Sequence, residues 1–298
     1  PYLDALGNQI GTPDLIVVLD SGGPTYEHIW VTEALRGLVA GRLSVRVSTE
    51  GVHSGMIGGT IPSSFRIQRI LLDRIEDSST GEVLIPEMHV PIPDLVKQQA
   101  AGLGAILGDA LWDSLPVVET LEPQTEGADQ MLLDINWRPA LAVIGADGLP
   151  PVQTAGNVLR TNTDLKLSFR IPPGVEAEIV QNRVKEILEA DPPYGAQVTY
   201  EAEPPSNGFR APAMDERVAA ALDEAAMKLT DSPPMTTWIG GTIPFMAMIQ
   251  QKYPGASFLC TGSSGPGNNA HGPDEKLHIP HSKRVNVVLA AAVAALCE

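Results

Sequence analysis

The sequence predicts an α/β protein of two domains, one inserted into the other, and three observations carry that reading. A continuous apolar run, Leu15-Ile-Val-Val-Leu, enters a small-residue loop at Asp20-Ser-Gly-Gly, as a buried strand does. From about Arg36 the pattern changes to a strand with period-two alternation followed by a helix, and a second strand–helix–strand set of the same character occupies residues 165–201. After Glu203-Pro-Pro-Ser-Asn the α/β character returns. The expected boundaries are therefore residues 1–35 and 204–298 for the two pieces of one domain, with residues 36–203 as the insertion.

The elements follow in order. Pro1-Tyr-Leu-Asp-Ala-Leu reads as the tail of a helix and runs through Gly11-Thr-Pro into the Leu15–Leu19 strand, expected to be buried on both faces, with Asp20 beyond its carboxyl end, where open α/β sheets carry ligands. Leu43-Ser-Val-Arg-Val-Ser alternates as a half-exposed strand. Ser63-Ser64 are cap candidates for a helix whose apolar positions are Ile67, Ile70, Leu71 and Ile75. Thr80 to Gly127 is punctuated by Pro and Gly, with helical pieces, and Met131 to Asn136 is read as a strand. Leu165, Leu167 and Phe169 then alternate with Lys166, Ser168 and Arg170; Pro172-Pro-Gly punctuates; Val175, Ile179, Val184, Ile187 and Leu188 mark a helix; Gln197 to Glu201 closes a βαββαβ order, ferredoxin-like in arrangement. Val218, Leu222, Ala225 and Leu229 form a helix face, Ser257-Phe-Leu-Cys a short strand, and Arg284 to Leu296 a closing helix.

Composition excludes several classes. With 36 acidic against 20 basic residues and a formal charge of −16, neither nucleic acid nor an anionic membrane is expected as the main partner. The longest apolar stretch, Val285 to Leu296, is short of the roughly 20 residues of a membrane span. Two cysteines, Cys260 and Cys297, cannot organise a disulfide framework; a reducing compartment, the cytoplasm, is the expected location.

Chemistry concentrates in loops. Gly262-Ser-Ser-Gly-Pro-Gly-Asn-Asn-Ala-His271-Gly-Pro presents one imidazole among small residues, and Glu50-Gly-Val-His53-Ser-Gly presents another directly after a strand. Gly240-Gly-Thr242-Ile-Pro offers backbone N–H groups and a hydroxyl to an anion. On its strand's polar face, Arg170 could grip a carboxylate with its planar fork. Taken singly, a solvated loop or strand face accounts for each. Neither Gly-x-Ser-x-Gly nor a phosphate-binding Gly-rich signature occurs.

Together, Val18-Leu-Asp20-Ser, Gly51-Val-His53-Ser-Gly, Leu167-Ser-Phe-Arg170-Ile-Pro-Pro, Gly240-Gly-Thr242-Ile-Pro and Gly265-Pro-Gly-Asn-Asn-Ala-His271-Gly-Pro-Asp-Glu resemble, in order and spacing, the di-zinc amidohydrolases. That family includes carnosinase-like dipeptidases, glutamate carboxypeptidase, aminoacylase and succinyl-diaminopimelate desuccinylase. The resemblance implies a zinc-peptidase-like α/β catalytic domain carrying an inserted lid and dimerisation domain. It also implies a dipeptide or N-acyl amino acid substrate, a homodimer formed through the lid, and two zinc ions per subunit in the complete protein, which cobalt or manganese could replace. By the same resemblance, Asp20 would ligate one metal and His271 the other. His53 would reach the substrate carbonyl of the neighbouring subunit, Arg170 would bind the substrate carboxylate, and Gly241, Thr242 and the partner-facing Asn157 would make further contacts. Trp238-Ile239 stands before Gly240 where carnosinase-like members usually have a polar or charged pair, which bears on substrate preference.

By the same resemblance, the family's remaining metal ligands come from a His-x-Asp motif, a bridging Asp and one Glu of a Glu-Glu pair, the other Glu of that pair being the general base. Neither motif occurs within these 298 residues. The chain is therefore expected to be the C-terminal portion of a longer protein, inactive by itself, because two isolated ligands fall short of the count a metal site requires. Two alternatives stay open. One is a catalytically dead dimerisation or binding module derived from such a peptidase, and the other is an intact hydrolase of different design.

Overall fold

The computed structural model describes residues 2–270 and 272–297. Along the chain the strands are β1 (Leu15–Val18), β2 (Trp30–Leu35), β3 (Gly37–Arg46), β4 (Val52–His53), β5 (Ala140–Asp147), β6 (Val158–Leu159), β7 (Asn162–Ile171), β8 (Gln197–Ala202), β9 (Phe209–Arg210), β10 (Met235–Ile239) and β11 (Ser257–Cys260). The α-helices are α1 (Tyr2–Ala5), α2 (Gly7–Ile10), α3 (Ser54–Ile57), α4 (Ser64–Leu72), α5 (Asp94–Leu107), α6 (Ala110–Asp113), α7 (Ala128–Asn136), α8 (Ala177–Glu189), α9 (Glu216–Thr230), α10 (Pro244–Lys252) and α11 (Ile279–Ala294). The mixed α/β class matches expectation. No helix among the described residues is long and apolar enough to cross a membrane.

The residues divide into two compact units: one within residues 1–35, 209–239 and 245–298, the other within residues 36–208 and 240–244. In the second, four antiparallel strands take the order β5-β7-β3-β8. With α4 after β3 and α8 after β7, this is the βαββαβ arrangement. Alternation puts Val39, Leu43, Val45, Leu167 and Phe169 on one face, where they bury against Ile67 and Leu71 of α4 and Val180, Val184 and Leu188 of α8. The other face is charged, with Arg42 paired to Glu201 at 2.8 Å and Lys166 to Glu203 at 2.6 Å. Ser63 caps α4 by accepting from the Arg66 N–H. Buried Gln68 donates from that helix to the carbonyls of Leu43 and Thr163, joining it to both central strands.

In the other unit β1 pairs in parallel with β11, while β2 lies between β10 and β9. The packed faces of α9 and α11 close a core of Val218, Leu222, Ala226, Val285, Val288 and Ala292 with Ile29 and Leu259. Asp215 starts α9 by accepting from the Arg217 N–H, and His278 starts α11 by accepting from the His281 N–H.

Four expectations are corrected. Met131–Asn136 is no strand but most of α7: Ala128, Met131, Leu132 and Ile135 recur at helical spacing, and Leu132, Leu133 and Asn136 are buried. The fourth strand is β5, an edge strand whose pattern does not alternate because most of it faces solvent. β1 is only partly buried, with Val17 38% exposed, because β11 is its one paired strand among the described residues. Finally, α4 ends at Leu72 with Ile75 buried in the turn beyond it, and α11 begins at Ile279 because the His278 cap and Pro280 start it there.

Candidate functional site

Arg170 is the penultimate residue of β7, level with Leu38 on one side and Ala140 on the other. Its guanidinium donates from Nη1 to the Thr242 hydroxyl at 2.8 Å, and that hydroxyl donates to the carbonyl of Arg36 at 2.7 Å. The half-buried loop Gly240-Gly241-Thr242 packs in the same unit as this strand. Arg36 lies between β2 and β3, is 9% exposed, and donates from Nε to the Gly240 carbonyl at 2.9 Å. Its Nη1 reaches the carbonyls of Asp134 at 3.3 Å and Arg138 at 3.4 Å. Burial, and after it the nearby Arg170 charge, lowers the Arg36 pKa to about 10, so the Arg36 guanidinium remains charged at neutral pH. Gly240 is needed for this approach: a Cβ there would lie 2.5 Å from the Ile135 carbonyl oxygen. The group suits an anion, since two cations stand close together, linked through the Thr242 hydroxyl, and Arg36 has no carboxylate partner among the described residues.

His53 ends β4, which pairs with β6 by placing His53 opposite Val158. The Ser54 N–H donates to the Asn157 carbonyl at 2.9 Å, so His53 and Asn157 sit on adjoining positions of one exposed two-stranded ribbon. His53 Nδ1 accepts from the Gly55 N–H at 3.1 Å and caps α3. A neutral imidazole that accepts at Nδ1 carries its proton on Nε2. The ring therefore offers one N–H donor to whatever approaches from solvent.

Asp20 follows β1 and is exposed. Its neighbour Ser21 is buried, bonded to the Thr32 hydroxyl at 2.7 Å, and Gly23 N–H donates to the Ser264 carbonyl at 3.0 Å. A Cβ on Gly262 would lie 1.8 Å from the Ser21 carbonyl oxygen, so only glycine lets the loop after β11 run this close to the loop after β1. Both loops leave the carboxyl ends of paired parallel strands. His271 lies outside the described residues. Among those described, no group of three or more His, Cys, Asp or Glu side chains could hold a metal ion. The described residues do not by themselves fit a two-metal centre.

Of the residues singled out in the sequence, Arg170 and Thr242 are in direct contact, with Gly241 between Thr242 and the clamped Gly240, and His53 and Asn157 share a ribbon. Arg36 was passed over. The available signal was a lone charge inside the apolar run Ala34-Leu-Arg-Gly-Leu-Val, where a cation needs a reason.

Comparison with known proteins gives the family and the fold. The model of peptidase family M20/M25/M40 matches residues 23–295. A cysteinylglycine-S-conjugate dipeptidase of Corynebacterium striatum is 27% identical over 286 residues, covering 90% of this chain and 57% of its own length. The dipeptidase Dug1p of Saccharomyces cerevisiae superposes with a TM-score of 0.78 at 20% identity, over 99% of this chain and 61% of that one. Human carnosine dipeptidase 1 gives a TM-score of 0.71 at 18% identity, over 95% of this chain and 59% of that one. At those two identities the likeness is one of fold, and the chain spans less than two thirds of the length of each of these relatives. On the match over residues 23–295, the chain belongs to peptidase family M20/M25/M40.

Proposed function

We propose that the chain is the larger part of a metal-dependent dipeptidase, hydrolysing the amide bond of a dipeptide or N-acyl amino acid that carries a free carboxylate. The observation that carries this reading is the contact of Arg170 with Thr242 beside a second buried guanidinium, which suits a substrate carboxylate. Family membership supports the reaction class, and the name of the Corynebacterium striatum relative supports a Cys-Gly type of dipeptide.

The roles of this chain's own residues follow. Arg170 would grip the carboxylate, with Thr242 fixing the guanidinium's plane, and Gly241 would offer backbone to the substrate. His53, with its proton on Nε2, would donate to the carbonyl oxygen as negative charge develops there, and Asn157 beside it would add a contact. These two would serve the site of a partner subunit, in a homodimer formed through the βαββαβ unit. Its edge strand β5 supports such pairing, with Val143 and Ile144 48% and 59% exposed. Metal, zinc by preference, would supply Lewis-acid chemistry and the activated water. Asp20 and His271 would contribute to holding it, while the general base and other ligands would come from sequence outside these 298 residues.

A non-catalytic binding or dimerisation module derived from such a peptidase is the second reading, and an incomplete ligand set among the described residues is compatible with both. The two are separated by assaying the full-length protein with added zinc, cobalt or manganese on Cys-Gly, on β-alanyl-histidine and on N-acetylated amino acids. Metal-dependent release of the free amine from one of them is expected. No turnover of any with every metal would favour the module.

A further inference from the structure

We infer that Arg36 is the second positive charge of the carboxylate site and the positioning residue that holds the Gly240–Thr242 loop for Arg170; the inference rests on the carboxylate reading of Arg170 proposed above. Arg36 fastens that loop at both ends. Its guanidinium takes the Gly240 carbonyl, and its own backbone carbonyl takes the Thr242 hydroxyl whose oxygen accepts from Arg170. Nη1 of the same guanidinium donates to the carbonyls of Asp134, within α7, and of Arg138 just after it, so the loop is tied to that helix as well. Everything the side chain bonds to is a neutral carbonyl.

That set of partners is the informative feature. A cation removed from water is ordinarily matched by a carboxylate, and Arg36 forms no such pair among the described residues, while a second guanidinium acts on it. Three carbonyl dipoles offset part of the cost. An arriving carboxylate would offset more, and the excess positive charge would hold that carboxylate from behind while Arg170 binds it in front. An arginine present only to knit a loop to a helix would serve acid and amide substrates alike, so the two roles can be told apart.

The test uses the full-length, metal-loaded protein and measures kcat/KM for a Cys-Gly dipeptide and for the same dipeptide with its C-terminus amidated. The acid-over-amide ratio is the readout, because folding defects and lost metal cancel in it. Arg36→Gln should lower that ratio about tenfold or more, and Arg36→Lys, which keeps the charge but loses the planar fork, should fall between it and wild type. An Arg36→Gln ratio within about twofold of wild type, even with a lowered unfolding midpoint, marks the residue as merely structural and overturns the inference. Should Arg36→Gln fail to fold, Arg36→Lys decides: a fall of about threefold or more supports the inference and no change overturns it. A wild-type ratio near one would instead overturn the carboxylate reading of Arg170, and this inference with it.

Discussion

Replacing Thr242 by valine keeps the side-chain shape and removes one oxygen that serves two partners. That oxygen donates to the Arg36 carbonyl at 2.7 Å and accepts from Arg170 Nη1 at 2.8 Å. The first loss leaves a carbonyl of a 9% exposed residue without its donor, which costs about 1–3 kcal/mol. The second is a charge-assisted bond, yet Arg170 and Thr242 are both half-buried and water can replace part of it, so it adds below ~1 kcal/mol. The sum is about 2 kcal/mol for the unit that contains residues 36–208. With a urea dependence of about 2 kcal/mol per molar, the unfolding midpoint of that unit should drop by roughly 1 M. Circular dichroism through the transition measures it. Thr242→Ser, which restores the hydroxyl, should recover most of the loss. A Thr242→Val midpoint within about 0.2 M of wild type would show that the hydroxyl bridges nothing of consequence, and would remove the support for a pre-set Arg170.

His53→Ala in the full-length protein should lower kcat by about a hundredfold or more with bound metal unchanged, because one oxyanion donor is lost; unchanged kinetics would take His53 out of the site. The polypeptide of residues 1–298, dialysed after zinc loading, should retain less than one zinc per chain, and elemental analysis giving two would refute the incomplete ligand set. Light scattering of the same polypeptide at micromolar concentration should give a dimer, and deleting the exposed pair by Val143→Lys with Ile144→Lys should give a monomer; a wild-type monomer would refute pairing through the βαββαβ unit. His281 is 1% exposed, and burial first, then the Arg284 charge, holds its pKa below the usual 6.5. The unfolded chain therefore binds this proton more readily than the fold does, so the stability is fully present above about pH 6.5 and is lost as pH falls through the folded value. The thermal midpoint should drop more steeply below that pH in wild type than in His281→Gln, and parallel profiles would refute the assignment.

How much of this was legible in the sequence depended on whether the decisive interaction is local. Ser63 and the Ile67–Leu71 pair state α4 by themselves, since a cap and its first turn are neighbours in sequence, and the alternation of residues 165–170 states β7 because one face is buried and the other charged. β5 fails the same test. It lies at an edge with most of its residues in solvent, so no burial contrast writes a period into Ala140–Asp147, and Met131 to Asn136 is read as the strand in its place. At the site the division is similar. Arg170, Gly241, Thr242, His53 and Asn157 stand out as candidates because short motifs surround them. Arg36 was missed because its partners are carbonyls 98 to 204 residues away, and a carbonyl belongs to every residue and leaves no mark in a sequence. A cation satisfied by backbone is invisible to motif reading, whereas one satisfied by a carboxylate often is not. An unexplained charge inside an apolar run is thus the remaining sequence signal for such residues, and the acid-over-amide ratio of the Arg36 variants decides whether that signal marks binding here or only a knotted loop.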